Sequence, residues 1–196
     1  MFINRAMNPV NYVRDPATIA WRRDELNVVL AFSGFYVRDD GKVVSWSIGT
    51  SPDAELENTM LDAAIETVTE GDEKPIVHSD RGGHYRWPGW LPRVAKAGLI
   101  RSMSRKACSP DNAACEGFFG RVKTEMFYPR DWRSTTIAQF IEALDAYIRW
   151  HNEKRIKSSL GYLSPIEYRE HLGLTTETSP RNYPFPRLMF RRKSTL

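Results

Sequence analysis

Residues 74–80 read KPIVHSD, and no other stretch restricts the fold as tightly. An apolar run this short, bounded by polar residues, is a buried strand of about five residues rather than a turn of helix. It ends on a carboxylate. A charge at the end of a buried strand is costly unless something neutralises it, so Asp80 needs a partner from elsewhere in the chain. The segments on either side are helical in pattern. SPDAELENTMLDAAIETVTEG puts Leu56, Met60, Leu61, Ala64, Ile65 and Val68 on one face, with Ser51 or Asp53 as cap and Gly71 as stop. WPGWLPRVAKAGL is a shorter helix, entered through Pro88 and ended by Gly98.

Upstream, LNVVLAF, a turn at Asp39-Asp40-Gly41 and KVVSWSIGT form an antiparallel strand pair. Downstream, LIRSMS is a further strand and a long helix runs from about Asn112 to Phe127. A second long helix carries Ile137, Phe140, Ile141, Leu144 and Ile148 at helical spacing, and LSPIEYREHLGL is a short capped helix. The order β, β, helix, β, helix, β, helix, helix predicts an α/β fold, a mixed sheet flanked by helices. With 196 residues the chain builds one sizeable domain. We divide it into a divergent N-terminal segment (1–25), a core (26–174) and an extended tail (175–196) with a basic cluster, Arg187, Arg191, Arg192 and Lys193.

Charge and cysteine content narrow the class only a little. Lys and Arg number 28 against 24 acidic residues, a net charge of +4 that mildly favours nucleic acid as a partner. Two cysteines, Cys108 and Cys115, make no disulfide framework, so a reducing compartment, the cytoplasm, is expected. No apolar run approaches the ~20 residues that cross a bilayer, so no membrane role is expected.

The partner for Asp80 is Glu116, with 35 residues between them. On a helix Glu116, Gly120 and Lys123 share a stripe. Two carboxylates in one cleft repel unless a cation lies between them, and hard oxygen ligands favour Mg²⁺ or Mn²⁺. Such ions support in-line displacement at phosphorus, and Lys123 would meet a phosphate backbone. The simpler alternative makes Asp80 a turn cap and Glu116 a surface residue favoured by a helix N-terminus. A zinc site from His78, His84, Cys108 and Cys115 is a third reading, although gaps of five residues between the histidines and six between the cysteines are looser than such sites favour.

HSDRGGHY, CSPDNAACEGFFGRVKTEMF and YIRWHNEKRIKSSLGYLSPIEY resemble the catalytic core of bacterial insertion-sequence transposases of the retroviral-integrase type, over roughly residues 41–174. The resemblance implies a ribonuclease H-like fold. It implies Asp80 and Glu116 as metal-binding catalytic residues, and Asn112 and Lys123 near the scissile phosphate. Its partners would be DNA, both transposon ends and target, handled by a homo-oligomer. Lys154, Arg155 and Lys157 could contact phosphates, with a solvated basic face as the plain alternative.

That family uses a third acid on its first strand, and here the pattern breaks down. Trp21 and Asp24 make a Trp-x-x-Asp arrangement, but Asp24 lies too close to NVVLAF to leave room for a first hairpin. Asp15 is the second candidate; Pro16 keeps it extended but suits an edge or turn better than a central strand. The chain thus reads as a transposase core altered at its N-terminus, with a DNA-binding remnant lacking the first acid as the alternative.

Overall fold

The computed structural model describes residues 11–14, 17–23, 26–37, 40–49, 53–68, 75–79, 89–103, 113–132 and 134–174. These build β1 (Asn11–Arg14), β2 (Ala17–Arg23), β3 (Leu26–Val37), β4 (Val43–Gly49), α1 (Ala54–Ile65), β5 (Ile76–Ser79), α2 (Trp90–Lys96) and β6 (Ile100–Met103). Next come α3 (Ala113–Arg121), α4 (Ile137–Glu153) and α5 (Pro165–His171). Asp80 and Asn112 lie outside the described residues, as do His84, Cys108 and the tail.

One mixed sheet holds all six strands in the order β2-β3-β1-β5-β6, with β4 also paired to β3. The segment before residue 26 supplies β1 and β2, and β2 pairs with β3 up to the register partners Arg23 and Leu26. β1 runs parallel to β5, Asn11 opposite Ile76 and Arg14 opposite Ser79. β6 continues parallel on the far side of β5. β3 is antiparallel to β1 and to β2. It pairs with β4 along its other edge, because Phe35 faces both Arg14 and Ser45, and Phe32 both Ala17 and Ile48.

Helices cover both faces of the sheet. A bulge near Phe35/Tyr36 shifts the β3–β4 register, and the successive residues Val43 and Val44 enter different cores. Val44 and Val77 pack with Met60, Leu61 and Ala64 of α1 and with Trp90 and Val94 of α2. Val43 and Ile48 pack with Phe118 and Phe119 of α3 and with Phe140, Ile141, Leu144 and Ile148 of α4. The buried positions of α4 recur at the helical spacing the sequence shows, one apolar face removed from water.

Helix ends follow their capping chemistry. The Asp53 carboxylate accepts from the Leu56 N–H at 3.0 Å and starts α1. Reciprocal Thr136–Gln139 and Ser164–Glu167 capping boxes open α4 and α5, the latter with Pro165 in its first turn. Two boundaries differ from the sequence pattern. α1 ends at Ile65, well before Gly71, and the Thr67 hydroxyl then donates to the Ala64 carbonyl at 2.7 Å, a local bond that competes with helix continuation. The helix expected over 112–127 is α-helical only to Arg121, and Val122–Phe127 is a π-helical stretch in which the Tyr128 N–H donates to the Lys123 carbonyl at 2.8 Å.

Candidate active site

Of the two sequence-nominated acids, Glu116 lies in α3, while Asp80 lies outside the described residues, next in sequence to β5. Asp80 is the residue after Ser79, the last residue of β5, and Ser79 is the register partner of Arg14. Glu116 lies in the first half of α3, and α3 packs against β1. Faces are set by strand alternation. Val77 points into the α1/α2 core, so His78 points to the opposite face, which α3 and α4 cover. There its Nδ1 lies 3.0 Å from the Ser102 hydroxyl of β6. Among the described residues no group of three or more His, Cys, Asp or Glu side chains is placed to hold a metal. Of the residues considered for zinc, His78 is on β5 and Cys115 on α3, while His84 and Cys108 lie outside the described residues.

The basic residues fall into two groups. Lys123 is half-buried at the start of the π-helical stretch, without a hydrogen bond or ion pair from its ammonium among the described residues. Wider turns from Val122 onward carry it backward from the stripe that a continuous α-helix would share with Glu116. Lys154 is exposed at the C-cap of α4. Arg155 is already engaged: its guanidinium grips Glu125 through Nε–H to Oε2 at 2.9 Å and Nη2–H to Oε1 at 2.6 Å. These bonds, with a further one from the Tyr147 hydroxyl at 2.8 Å, hold the Glu125 carboxyl below the usual carboxylate range.

The C-terminal helices clamp the turn that leads into β4. The Asn152 amide both donates to the Val43 carbonyl and accepts the Val43 N–H, each at 2.8 Å, as a strand neighbour would. Lys157 Nζ donates to the carbonyls of Asp40 and Gly41 at 3.1 and 3.3 Å. Burial, with Arg121 nearby, pushes its ammonium down to about 8. Arg169 of α5 donates to the Asp40 carboxylate at 2.8 Å, and the Lys42 N–H donates to its other oxygen at 2.7 Å. Asp40 is only 4% exposed, and its desolvation outweighs these attractions, so its pKa is raised. The sequence marked Asp40 only as a turn residue. Its buried ion pair spans 129 positions, and local pattern carries no signal for a contact that remote.

His151 completes the clamp. Its Nε2–H donates to the Gly41 carbonyl at 3.1 Å, its ring meets Phe118 edge-on, and it is fully buried. Desolvation, reinforced by Lys157, pushes its pKa down to about 4. The unfolded chain therefore binds the extra proton first. The stabilisation from neutral His151 is complete above about pH 6.5 and is lost as pH falls towards 4, a total of about 3 kcal/mol. Urea unfolding from pH 7 to 4.5 is expected to show this loss, and His151→Leu to flatten it. An equal loss in the variant would assign the pH dependence to other groups.

With this geometry in view, similarity to known proteins is informative. The family described as "Integrase core domain" matches residues 116–172, from Glu116 to the end of α5. A probable transposase for insertion sequence element IS1353 of Shigella flexneri is 63% identical over 135 residues, 69% of this chain and 26% of that protein. The chain carries an insertion-sequence transposase core of the integrase type. A putative transposase for IS150 of Escherichia coli K12 is 36% identical over 130 residues, 66% of this chain and 45% of its own length. This transposase core thus spans about a quarter to a half of those two relatives.

Solved structures agree on the fold. The simian T-cell lymphotropic virus intasome in complex with a PP2A regulatory subunit matches with a TM-score of 0.67 at 15% identity, over 94% of this chain and 60% of the matched one. The HTLV-2 integrase catalytic core domain in complex with magnesium, in its trimeric form, matches with a TM-score of 0.63 at 11% identity, over 84% of this chain and 99% of that domain. The fold is therefore ribonuclease H-like, as the sequence resemblance implied. No helix among the described residues is long and apolar enough to cross a membrane.

Proposed function

We propose that this transposase core cuts and joins DNA strands, with Asp80 and Glu116 as its metal-binding carboxylates. The observation that carries the reading is topological: parallel β1 and β5 lie side by side, the chain reaches Asp80 directly after β5, and the helix bearing Glu116 packs on β1. A divalent cation, Mg²⁺ or Mn²⁺, supplies polarisation of the phosphoryl oxygen and activation of the attacking hydroxyl when bound. The protein's own part is placement. Asp80 and Glu116 would hold the cation from two sides, and Lys123 and Asn112 would fix the phosphate backbone beside the bond that breaks. A water or 3′-hydroxyl oxygen attacks phosphorus in line, and the opposite phosphorus–oxygen bond breaks to release a DNA hydroxyl.

Transposon ends and target DNA are the substrates in this reading. A homo-oligomer would bring paired ends together in the cytoplasm, where a bacterial chromosome lies. Lys154, exposed at the end of α4, is an outer phosphate contact. Arg155 contributes to that surface only if it exchanges Glu125 for a phosphate. The test is incubation of the protein with a labelled duplex carrying the terminal repeat, with Mg²⁺, Mn²⁺ or EDTA, and with DNA binding followed in parallel. Metal-dependent cleaved and joined products are expected. Binding without product under every metal condition would reduce the chain to a DNA-binding remnant.

A further inference from the structure

The loop that joins α4 to α5 is pinned at both ends and strained in the middle. Lys157 and Leu163 form an antiparallel bridge: the Lys157 N–H donates to the Leu163 carbonyl at 3.1 Å, and the Tyr162 N–H donates back to the Lys157 carbonyl at 3.0 Å. Leu160 is buried within the loop, and Ser164, just past the bridge, is buried as the cap of α5. The Lys157 ammonium points inward, to the carbonyls of Asp40 and Gly41. To close so short a loop Gly161 takes φ +69° and Tyr162 takes φ +64°. Glycine enters this left-handed region freely, whereas a bulky side chain there is strained. Tyr162 is the one non-glycine residue with positive φ among the described residues.

This strain does nothing for the fold. Tyr162 is 74% exposed, and among the described residues its ring meets no other ring and its hydroxyl makes no hydrogen bond. Ile156, on the opposite side of the bridge strand from the inward-pointing Lys157, is 62% exposed as well. Residues 154–163 carry Lys154, Arg155 and Lys157 and no acid. Lys154 is exposed and lies three residues before the bridge, at most about 11 Å along the chain. A displayed aromatic ring beside positive charge is complementary to nucleic acid, which offers base faces and phosphates together.

We propose that Tyr162 is a base-stacking residue of this transposase core, its ring receiving an unpaired base of the DNA while Lys154 meets an adjoining phosphate. The inference rests on the proposed function above and adds to it a contact with bases, where the residues named there meet phosphates. The pinned loop holds the ring out before any base arrives, so little ordering is left for binding to impose.

The test is fluorescence anisotropy of the full chain in EDTA with two labelled duplexes, one blunt and one splayed into unpaired strands at one end. Tyr162→Ala is expected to weaken the splayed DNA about tenfold and the blunt DNA by no more than about twofold, while Tyr162→Phe stays near wild type on both. Tyr162→Gly is expected to weaken the splayed DNA as Tyr162→Ala does, yet to melt no lower than wild type, because glycine accepts φ +64° without strain. Splayed-DNA affinity within about twofold of wild type in both Tyr162→Ala and Tyr162→Gly overturns the proposal and leaves the proposed function standing. Equal weakening on the two duplexes overturns stacking on an unpaired base. A Tyr162→Gly protein that melts well below wild type makes the ring part of the fold and overturns the proposal too. If the wild-type chain binds neither duplex, the proposed function falls together with it.

Discussion

Glu116→Gln is expected to cut metal-dependent strand transfer by roughly a thousandfold, a loss of about 4 kcal/mol in transition-state stabilisation. Gln keeps the shape and helix propensity of Glu but offers a neutral amide in place of a carboxylate, so the change removes ligand charge and little else. Glu116 sits before the core positions of its helix, where Phe118 and Phe119 carry the packing, and those are untouched. The melting temperature in EDTA should therefore stay level or rise slightly, because one member of a repelling acid group has become neutral. DNA binding in EDTA should be retained, since the proposed phosphate contacts are assigned to Lys123 and other basic residues rather than to Glu116. Gel-resolved products and melts report both quantities on one preparation. Activity within tenfold of wild type would remove Glu116 from the chemistry.

The second large effect is on stability. Arg169→Leu is expected to destabilise the fold by about 3–5 kcal/mol, because it strands the Asp40 carboxylate at a buried site. For a domain of this size the melting temperature should drop by on the order of 10 °C. The sign with pH is specific. Burial already raises the pKa of Asp40, with Arg169 opposing the rise, so losing Arg169 raises it further. A raised carboxyl makes the folded state bind its proton more readily than the unfolded chain, so the variant's deficit should be smallest in acid and grow as pH climbs through the raised value. Adding Asp40→Asn to Arg169→Leu should recover part of the loss, since a neutral amide carries no stranded charge. Melts at pH 5 and pH 8 check both statements. An Arg169→Leu protein that melts within a degree of wild type would make the α5–β4 clamp incidental.

Local pattern made much of this molecule legible. The strands of KVVSWSIG and KPIV, the capped helices from Thr136 and Ser164, and the core positions Phe140, Ile141, Leu144 and Ile148 all follow from alternation, helical period and caps, properties encoded within a few residues. The integrase-type transposase core was legible through the flanking motifs around Asp80 and Glu116. The residues before position 26 were not. Their mixed character gives no strong strand signal, and they gain strand structure from pairing with β3 and β5, which one segment read alone does not reveal.

The π-helical stretch after Arg121 was hidden for a related reason, since its apolar spacing is close to that of an ordinary helix. Sequence by itself determined the order of elements from β3 onward and the apolar faces of the helices, because those depend on neighbours along the chain. Only the tertiary structure decided that Asp40 is an ion-pair partner of Arg169 rather than a plain turn residue, that Arg155 is held by Glu125, and that residues 11–14 lie parallel to β5. Each of these depends on strand register or on burial between remote segments, and neither quantity exists until the sheet has closed.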